Sequence, residues 1–197
     1  DGSYTITKSY DQAAPKILLY AGELKDNNTL RIAEEIISFI KKDNKKYDIS
    51  ILITDSNNPT VNKNVQRLLD NDIRPIGRSG KYMVYRKEEI ASICKLDYQI
   101  LAKQDKKKVD IFMSREWRRC FGDSTFDISI CCITNTNDLF YSYLLLNGNS
   151  THKILCKSEK LFSKDMQIQK IFNKLSDFHD MACDNLFTLY TYLKGFL

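Results

Sequence analysis

Short apolar runs alternate with amphipathic segments along most of the chain. Residues 16–21 (KILLYA) are an apolar run of strand length, and residues 29–42 then place apolar side chains at the spacing of one helix face. A strand pattern at 47–54 and a helix pattern at 61–70 repeat this order. Residues 185–197 are rich in aromatic side chains and fit either a helix or a strand. Further strands are predicted at 73–76, 126–133 and 152–156, and further helices at 87–102, 109–120, 139–146 and 166–178.

Strands that alternate with helices along the whole chain predict an α/β fold. Parallel strands need long crossover connections, and amphipathic helices supply them. We therefore expect residues 16–197 to form one domain, a parallel sheet with helices on both faces. Residues 1–15 are polar and irregular, and we assign them to a leader or linker.

Composition places the chain among ordinary globular domains. Hydrophobic residues make up 43% of its 197 positions and charged residues 28%, which are values typical of a packed domain. No apolar run approaches the roughly 20 residues that a membrane-spanning helix needs. The chain begins at Asp1 and shows no signal-peptide pattern, so we expect a segment of a longer, cytoplasmic protein.

The cysteines indicate reduced thiols. Six cysteines show no C-x-x-C spacing, and Cys131 and Cys132 are adjacent in a predicted strand. Neighbouring strand positions point to opposite faces of a sheet, which argues against a disulfide framework. Because His152 and His179 are the only histidines, we predict no metal site, and we predict no cofactor.

The turn after the first predicted strand is the first candidate for ligand binding. Its Gly22 would let backbone N–H groups approach a ligand, whereas Glu23 adds a negative charge that opposes an anion. We therefore expect a turn that keeps the shape of a phosphate site without the full site. Asp26, Asn27, Asn28 and Thr29 follow at the carboxyl edge of the strand, where open α/β sheets bind ligands. The Asn and Thr residues of this stretch also suit a helix N-cap, which is the interpretation we favour.

A second polar stretch, ITNTND, follows the predicted strand at 126–133. Its Asn135 and Asn137 suit either the hydroxyl groups of a sugar or glycerol, or the cap of the next helix, and the sequence does not separate the two. After the next strand, Lys157 and Glu159 are the candidates for a general base. We interpret them as solvated loop residues and assign no catalytic residue.

Most of the net charge of +5 lies between residues 103 and 119, which carry seven basic and three acidic side chains. In KKKVDIFMSREWRRCF, residues Val109, Met113 and Trp117 fall on one helical stripe and the basic residues lie mostly elsewhere. This helix either packs on the sheet with a solvated basic face, or it contacts an anionic lipid surface or anionic polymer. Nucleic acid fits less well, because the sequence contains no recognised nucleic-acid module. The residues assigned to the anionic contact are Lys106, Lys107, Lys108, Arg115, Arg118 and Arg119.

Three stretches together resemble a known family, the N-terminal Rossmann half of GT-B glycosyltransferases found with teichoic-acid and capsule genes in Gram-positive bacteria. They are KILLYAGELKDNNTLRIAEEI, REWRRCFGDSTFDISI, and KILCKSEK with the later LFTLYTYLKGF, and they cover residues 16–196. The chain departs from the family at Glu23 and Asn28, where relatives have glycine. It also carries ITNTND where relatives have Ser-Gly-Tyr, and CKSE where they have a His and an Asp.

The resemblance implies a Rossmann-like, acceptor-side domain of teichoic-acid or capsular polymer synthesis, located in the cytoplasm or at the inner face of the membrane. GT-B enzymes bind the activated donor mainly in their C-terminal half, so we expect this half to be inactive by itself. The alternative is a degenerate scaffold or interaction module within a larger cell-wall polymer transferase. A second Rossmann half downstream in the full-length gene would favour the enzyme.

Overall fold

A six-stranded sheet organises the residues that the computed structural model describes, which are 15–42, 47–54, 58–69, 74–75, 106–175 and 177–195. All of its neighbouring strands are parallel. The strands are β1 (Lys16–Tyr20), β2 (Asp48–Ile51), β3 (Arg74–Pro75), β4 (Phe126–Ile133), β5 (Ser150–Lys157) and β6 (His179–Ala182). The helices are α1 (Asn27–Lys41), α2 (Pro59–Leu69), α3 (Lys106–Phe121), α4 (Leu139–Leu146), α5 (Glu159–Lys164), α6 (Met166–Phe172) and α7 (Phe187–Lys194).

The strand order is β3-β2-β1-β4-β5-β6. The chain winds outward from β1 to β3, returns to place β4 beside β1, and then winds outward in the other direction. This order is that of the Rossmann fold, and the winding reverses between β1 and β4. Leu19 pairs with Ile51 on one side, and Tyr20 pairs with Cys131 on the other. The predicted α/β class and parallel sheet are confirmed.

Helices cover both faces of the sheet, as predicted. Successive strand residues alternate between two hydrophobic cores, so Leu18 and Leu19 belong to different ones, and so do Cys131 and Cys132. One core receives residues of α1, α2 and α7, and the other receives residues of α3, α4, α5 and α6. All eight residues of α4 are buried, because this helix lies between the sheet and the residues of α3 and α6.

The largest departures from the predicted elements lie between residues 157 and 183. The predicted helix at 166–178 ends at Phe172, and Asp177 has a φ of +64°, which a right-handed helix cannot contain. The side chains of Leu175 and Phe178 still reach the core, which explains their helix-like spacing. Helix α5 and strand β6 were not predicted, and the ambiguous C-terminal segment forms α7.

Other boundaries shift by a few residues. Helix α2 begins at Pro59 rather than Val61 because the Asn58 side chain accepts hydrogen bonds from the backbone N–H groups of Thr60 and Val61. Residues 1–14 of the predicted leader at 1–15, and the predicted helix at 87–102, lie outside the described residues. Among the helices that the structure describes, none combines the length and apolarity needed to cross a membrane.

Candidate functional site

The loops that follow β1 and β4 meet at the point where the winding of the sheet reverses. Open parallel sheets bind ligands at this point, beyond the carboxyl ends of the strands. We call residues 21–28, which include the first two residues of α1, and residues 134–138 the switch-point loops. A Cβ atom added to Gly22 would lie 3.8 Å from Oδ1 of Asp138, so the two loops are in close contact. The structure therefore brings together the two polar stretches that the sequence placed at one edge.

Gly22 is required by the packing of its own turn. Its φ is +103°, and an added Cβ atom would lie 2.9 Å from Cγ2 of Thr29. A side chain would therefore meet both a strained backbone and the first turn of α1. This internal requirement accounts for the glycine without a ligand.

The predicted helix N-cap is present in this stretch, but Asp26 forms it rather than an asparagine or threonine. Oδ1 of Asp26 accepts a hydrogen bond of 2.8 Å from the backbone N–H of Thr29. Thr29 is buried and donates its hydroxyl to the Asp26 carbonyl, so it is not open to a ligand. Asn28 is exposed and accepts from Arg31, and Asn27 is exposed at the start of the helix. Asn27 and Asn28 therefore remain accessible, whereas Thr29 does not.

The surroundings of this helix end are acidic. The positive end of the α1 dipole would favour an anion, but the Asp26 carboxylate already lies there. Glu23 adds a second carboxylate in the same turn, and its Oε2 forms an ion pair of 3.4 Å with Nζ of Lys25. The turn thus offers a phosphate group more repulsion than attraction.

Leu24 and Asn64 fix the path of the first switch-point loop, and sequence reasoning identified neither. Leu24 is buried with a φ of +58°, a conformation that costs a non-glycine residue on the order of 1–3 kcal/mol. The buried Asn64 side chain donates a hydrogen bond of 2.8 Å to the Leu24 carbonyl. A single leucine inside the polar run GELKD is the signal that points to such an inward turn.

Asp138, the last residue of the predicted polar stretch ITNTND, holds the second switch-point loop from a buried position. Its Oδ1 accepts a hydrogen bond of 2.7 Å from the Tyr20 hydroxyl, and its Oδ2 accepts from the backbone N–H groups of Thr134 and Asn135 at 2.9 and 3.2 Å. The Asn135 side chain accepts from the Asn137 backbone N–H at 2.9 Å, and Asn135 and Asp138 together form a capping box. Of the two predicted asparagines, Asn135 therefore has a structural role, and Asn137 is exposed.

Burial governs the titration of this pair. Burial raises the pKa of Asp138 above its ordinary value, and the nearby Glu23 charge adds to the increase, whereas hydrogen bonds from Thr134, Tyr20 and Asn135 oppose it. Burial and the Asp138 charge raise the pKa of Tyr20 well above its usual range. Tyr20 therefore stays protonated and acts as a hydrogen-bond donor, joining β1 to the loop after β4.

The two candidates for a general base occupy ordered elements rather than the predicted solvated loop. Lys157 ends β5, and its Nζ lies 2.6 Å from Oδ2 of Asp180. Ser158 caps α5 by accepting from the Leu161 N–H, and Glu159 is exposed in the first turn. The Lys157 amine is therefore already engaged by a carboxylate at the end of the strand.

The basic residues of α3 divide into an exposed set and one paired residue. Arg119 is half-buried and forms an ion pair of 2.8 Å with the buried Glu116, so it leaves the predicted surface. Trp117 and Phe121 are buried, as the spacing predicted. A concavity of about 570 Å³ lies along the exposed face of the helix. The exposed basic residues are Lys106, Lys107, Lys108, Arg115 and Arg118.

Comparisons with known proteins add no identity: no protein-family model matches the chain, and no curated protein matches it significantly. Within the part of the chain that the structure describes, no cluster of His, Cys, Asp and Glu side chains is arranged to hold a metal ion. The described cysteines, at positions 120, 131, 132, 156 and 183, are not joined by disulfide bonds.

Proposed function

We propose that the chain is the acceptor-side domain of a glycosyltransferase-like protein of teichoic-acid or capsular polymer synthesis, working in the cytoplasm or at the inner face of the membrane. The observation that carries the proposal is the chemistry of the switch-point loops. They lie at the ligand-binding edge of a sheet with the Rossmann strand order, yet they present carboxylates and amides rather than a cradle of donors.

Carboxylates and amides suit an acceptor better than an activated donor. Hydroxyl groups of a sugar or polyol donate hydrogen bonds to such oxygens, and amide side chains both donate and accept. The diphosphate of a nucleotide-linked donor needs N–H groups and cations instead. Glu23 and Asp26 oppose a diphosphate, whereas the exposed side chains of Asn27 and Asn137 are open to hydroxyl groups.

The proposal divides the switch-point residues by role. Asn27 and Asn137 contact the acceptor, with Asn28 beside them, because these are the exposed amides of the two loops. Gly22 and Asn135 hold the loop shapes. Donor binding belongs to a second half, so the domain by itself transfers no sugar.

We expect the isolated chain to bind an acceptor fragment and no donor. In a titration of the ¹⁵N-labelled chain with an uncharged sugar oligomer, amide shifts should be confined to residues 21–28 and 134–138. The double substitution Asn27→Ala and Asn137→Ala should weaken binding by about tenfold or more, since two hydrogen bonds contribute about 1 kcal/mol each. The matched control replaces two exposed asparagines elsewhere, Asn62 and Asn173.

Calorimetric titration with UDP- and CDP-linked sugars tests whether the chain binds a donor. A micromolar dissociation constant for either would overturn the assignment to the acceptor side. If neither donor nor oligomer shifts any switch-point amide, the alternative, a non-catalytic scaffold or interaction module, replaces the proposal.

A further inference from the structure

The exposed face of α3 has one apolar side chain at its centre. Ile111 is 48% exposed, although residues of this type are usually buried. With about 100° of rotation per residue, Lys107 and Arg118 fall on one side of Ile111, and Lys108 and Arg115 fall on the other, all within roughly 60° of it. All four basic side chains are exposed. The face is therefore an aliphatic group ringed by cations.

Packing of the opposite side of α3 in the core keeps this face exposed to solvent. On the opposite side of the helix, Met113 and Trp117 are buried in the core. The Trp117 ring contacts the rings of Phe121 and Phe126, with centroids 4.4 and 5.9 Å away. The helix cannot turn Ile111 inward without pulling this aromatic cluster out of the core.

The two acidic side chains of α3 itself lie at the edge of this face or away from it. Glu116 is turned into the protein and is paired with Arg119. Asp110 is half-buried and falls about 100° away from Ile111, at the edge of the face. The concavity on this face is lined by basic side chains, the Ser114 hydroxyl, the Ile111 side chain and, at its edge, Asp110.

We propose that this face of α3 docks on an anionic lipid bilayer, with Ile111 entering the boundary between headgroups and acyl chains. Exposed lysines and arginines attract an anionic leaflet, and an apolar side chain among them gains free energy by leaving water. Ser114 and the cations beside the concavity can hydrogen-bond a lipid phosphate. A soluble polyanion would use the cations but would gain nothing from Ile111, so the aliphatic centre favours a lipid surface. This inference does not depend on the proposed acceptor site.

Vesicle sedimentation tests whether the basic side chains contribute to lipid binding. The full chain should bind phosphatidylcholine vesicles that contain phosphatidylglycerol, and binding should fall as salt rises, because charges are screened within about 8 Å at physiological ionic strength. The triple substitution Lys108→Gln, Arg115→Gln and Arg118→Gln should lower the partition constant by about a hundredfold. The control removes the same charge from the helices on the other face of the sheet, by replacing Lys41, Lys63 and Lys194, all exposed, with Gln. It should change binding much less.

Substitutions of Ile111 distinguish a lipid surface from a soluble polymer as the binding partner. Ile111→Ser should weaken vesicle binding by about tenfold, since burial of an aliphatic side chain contributes on the order of 1.5–3 kcal/mol and its insertion here is partial. Ile111→Trp should strengthen vesicle binding, and neither change should alter binding to soluble polyphosphate.

Three results would overturn the proposal. The first is an absence of vesicle binding at low salt. The second is an equal loss in the control triple variant, which would show that net charge alone is responsible. The third is vesicle binding that neither substitution of Ile111 changes, which would show that the face binds polyanions in general. Unchanged melting temperatures of the variants, whose altered side chains are all exposed, confirm that the fold is intact.

Discussion

Replacing Gly148 with alanine should destabilise the chain by about 3 kcal/mol, a large value for the addition of one methyl group. Gly148 lies between α4 and β5, and the Trp117 ring packs directly on it. An added Cβ atom would overlap Cε3 and Cζ3 of Trp117 and would lie 2.8 Å from Cη2. The ring cannot retreat, because it is buried against Phe121 and Phe126.

Urea unfolding of the single and double variants measures this contact. Trp117→Ala alone should cost about 3–5 kcal/mol. In that background the alanine at position 148 should cost at least about 1 kcal/mol less than in the native chain, because the clashing ring is gone. Gly195→Ala is the matched control. Its Cβ atom would approach the Tyr192 carbonyl oxygen at 3.3 Å without overlapping a side chain, so its cost should be smaller. A loss below 1 kcal/mol for Gly148→Ala would contradict the packing.

The fold was predictable because its central strands are buried on both faces. Parallel strands of this kind read as continuous apolar runs, and KILLY in β1 and ISICCI in β4 stand out for that reason. Strand β6 was missed because it lies at the edge of the sheet, spans four residues and exposes two of them. Such a strand carries too little apolar pattern to be distinguished from a loop.

The candidate site was predicted in place but not in detail. The sequence put polar residues at the right edge of the sheet, because the ends of apolar runs mark strand ends. It did not identify Tyr20 as the partner of Asp138, since 118 positions separate them and spacing carries no information about such a contact. By contrast, Glu116 and Arg119 are three residues apart on one helix, so their pairing was open to prediction from spacing.

Replacing Asp138 with alanine should destabilise the chain by about 3–5 kcal/mol at neutral pH. The substitution leaves the Tyr20 hydroxyl and the backbone N–H groups of Thr134 and Asn135 without their acceptor, and each buried unsatisfied donor costs about 1–3 kcal/mol. Asp123→Ala, which removes the same charge at an exposed position, should change the free energy of unfolding by less than about 0.5 kcal/mol. Urea unfolding of both variants measures the difference.

The dependence of this loss on pH tests the balance between burial and hydrogen bonding at Asp138. Because burial raises the pKa of Asp138, the folded state holds the proton more tightly than the unfolded state. The stability linked to this group is then fully present below the unfolded value of 3.8 and is lost as pH rises through the folded pKa. The cost of Asp138→Ala should therefore be larger at pH 4 than at pH 7.

The destabilisation caused by Tyr20→Phe should depend on pH in the opposite direction. The substitution removes a donor that stabilises the ionised carboxylate, so the pKa of Asp138 should rise further, and the loss should grow from pH 4 to pH 7, where it should reach about 1.5–3 kcal/mol. Urea unfolding of both variants across this range is the measurement. If the cost of Asp138→Ala instead grows toward pH 7, the three donors outweigh burial, and the folded pKa of Asp138 lies below its unfolded value.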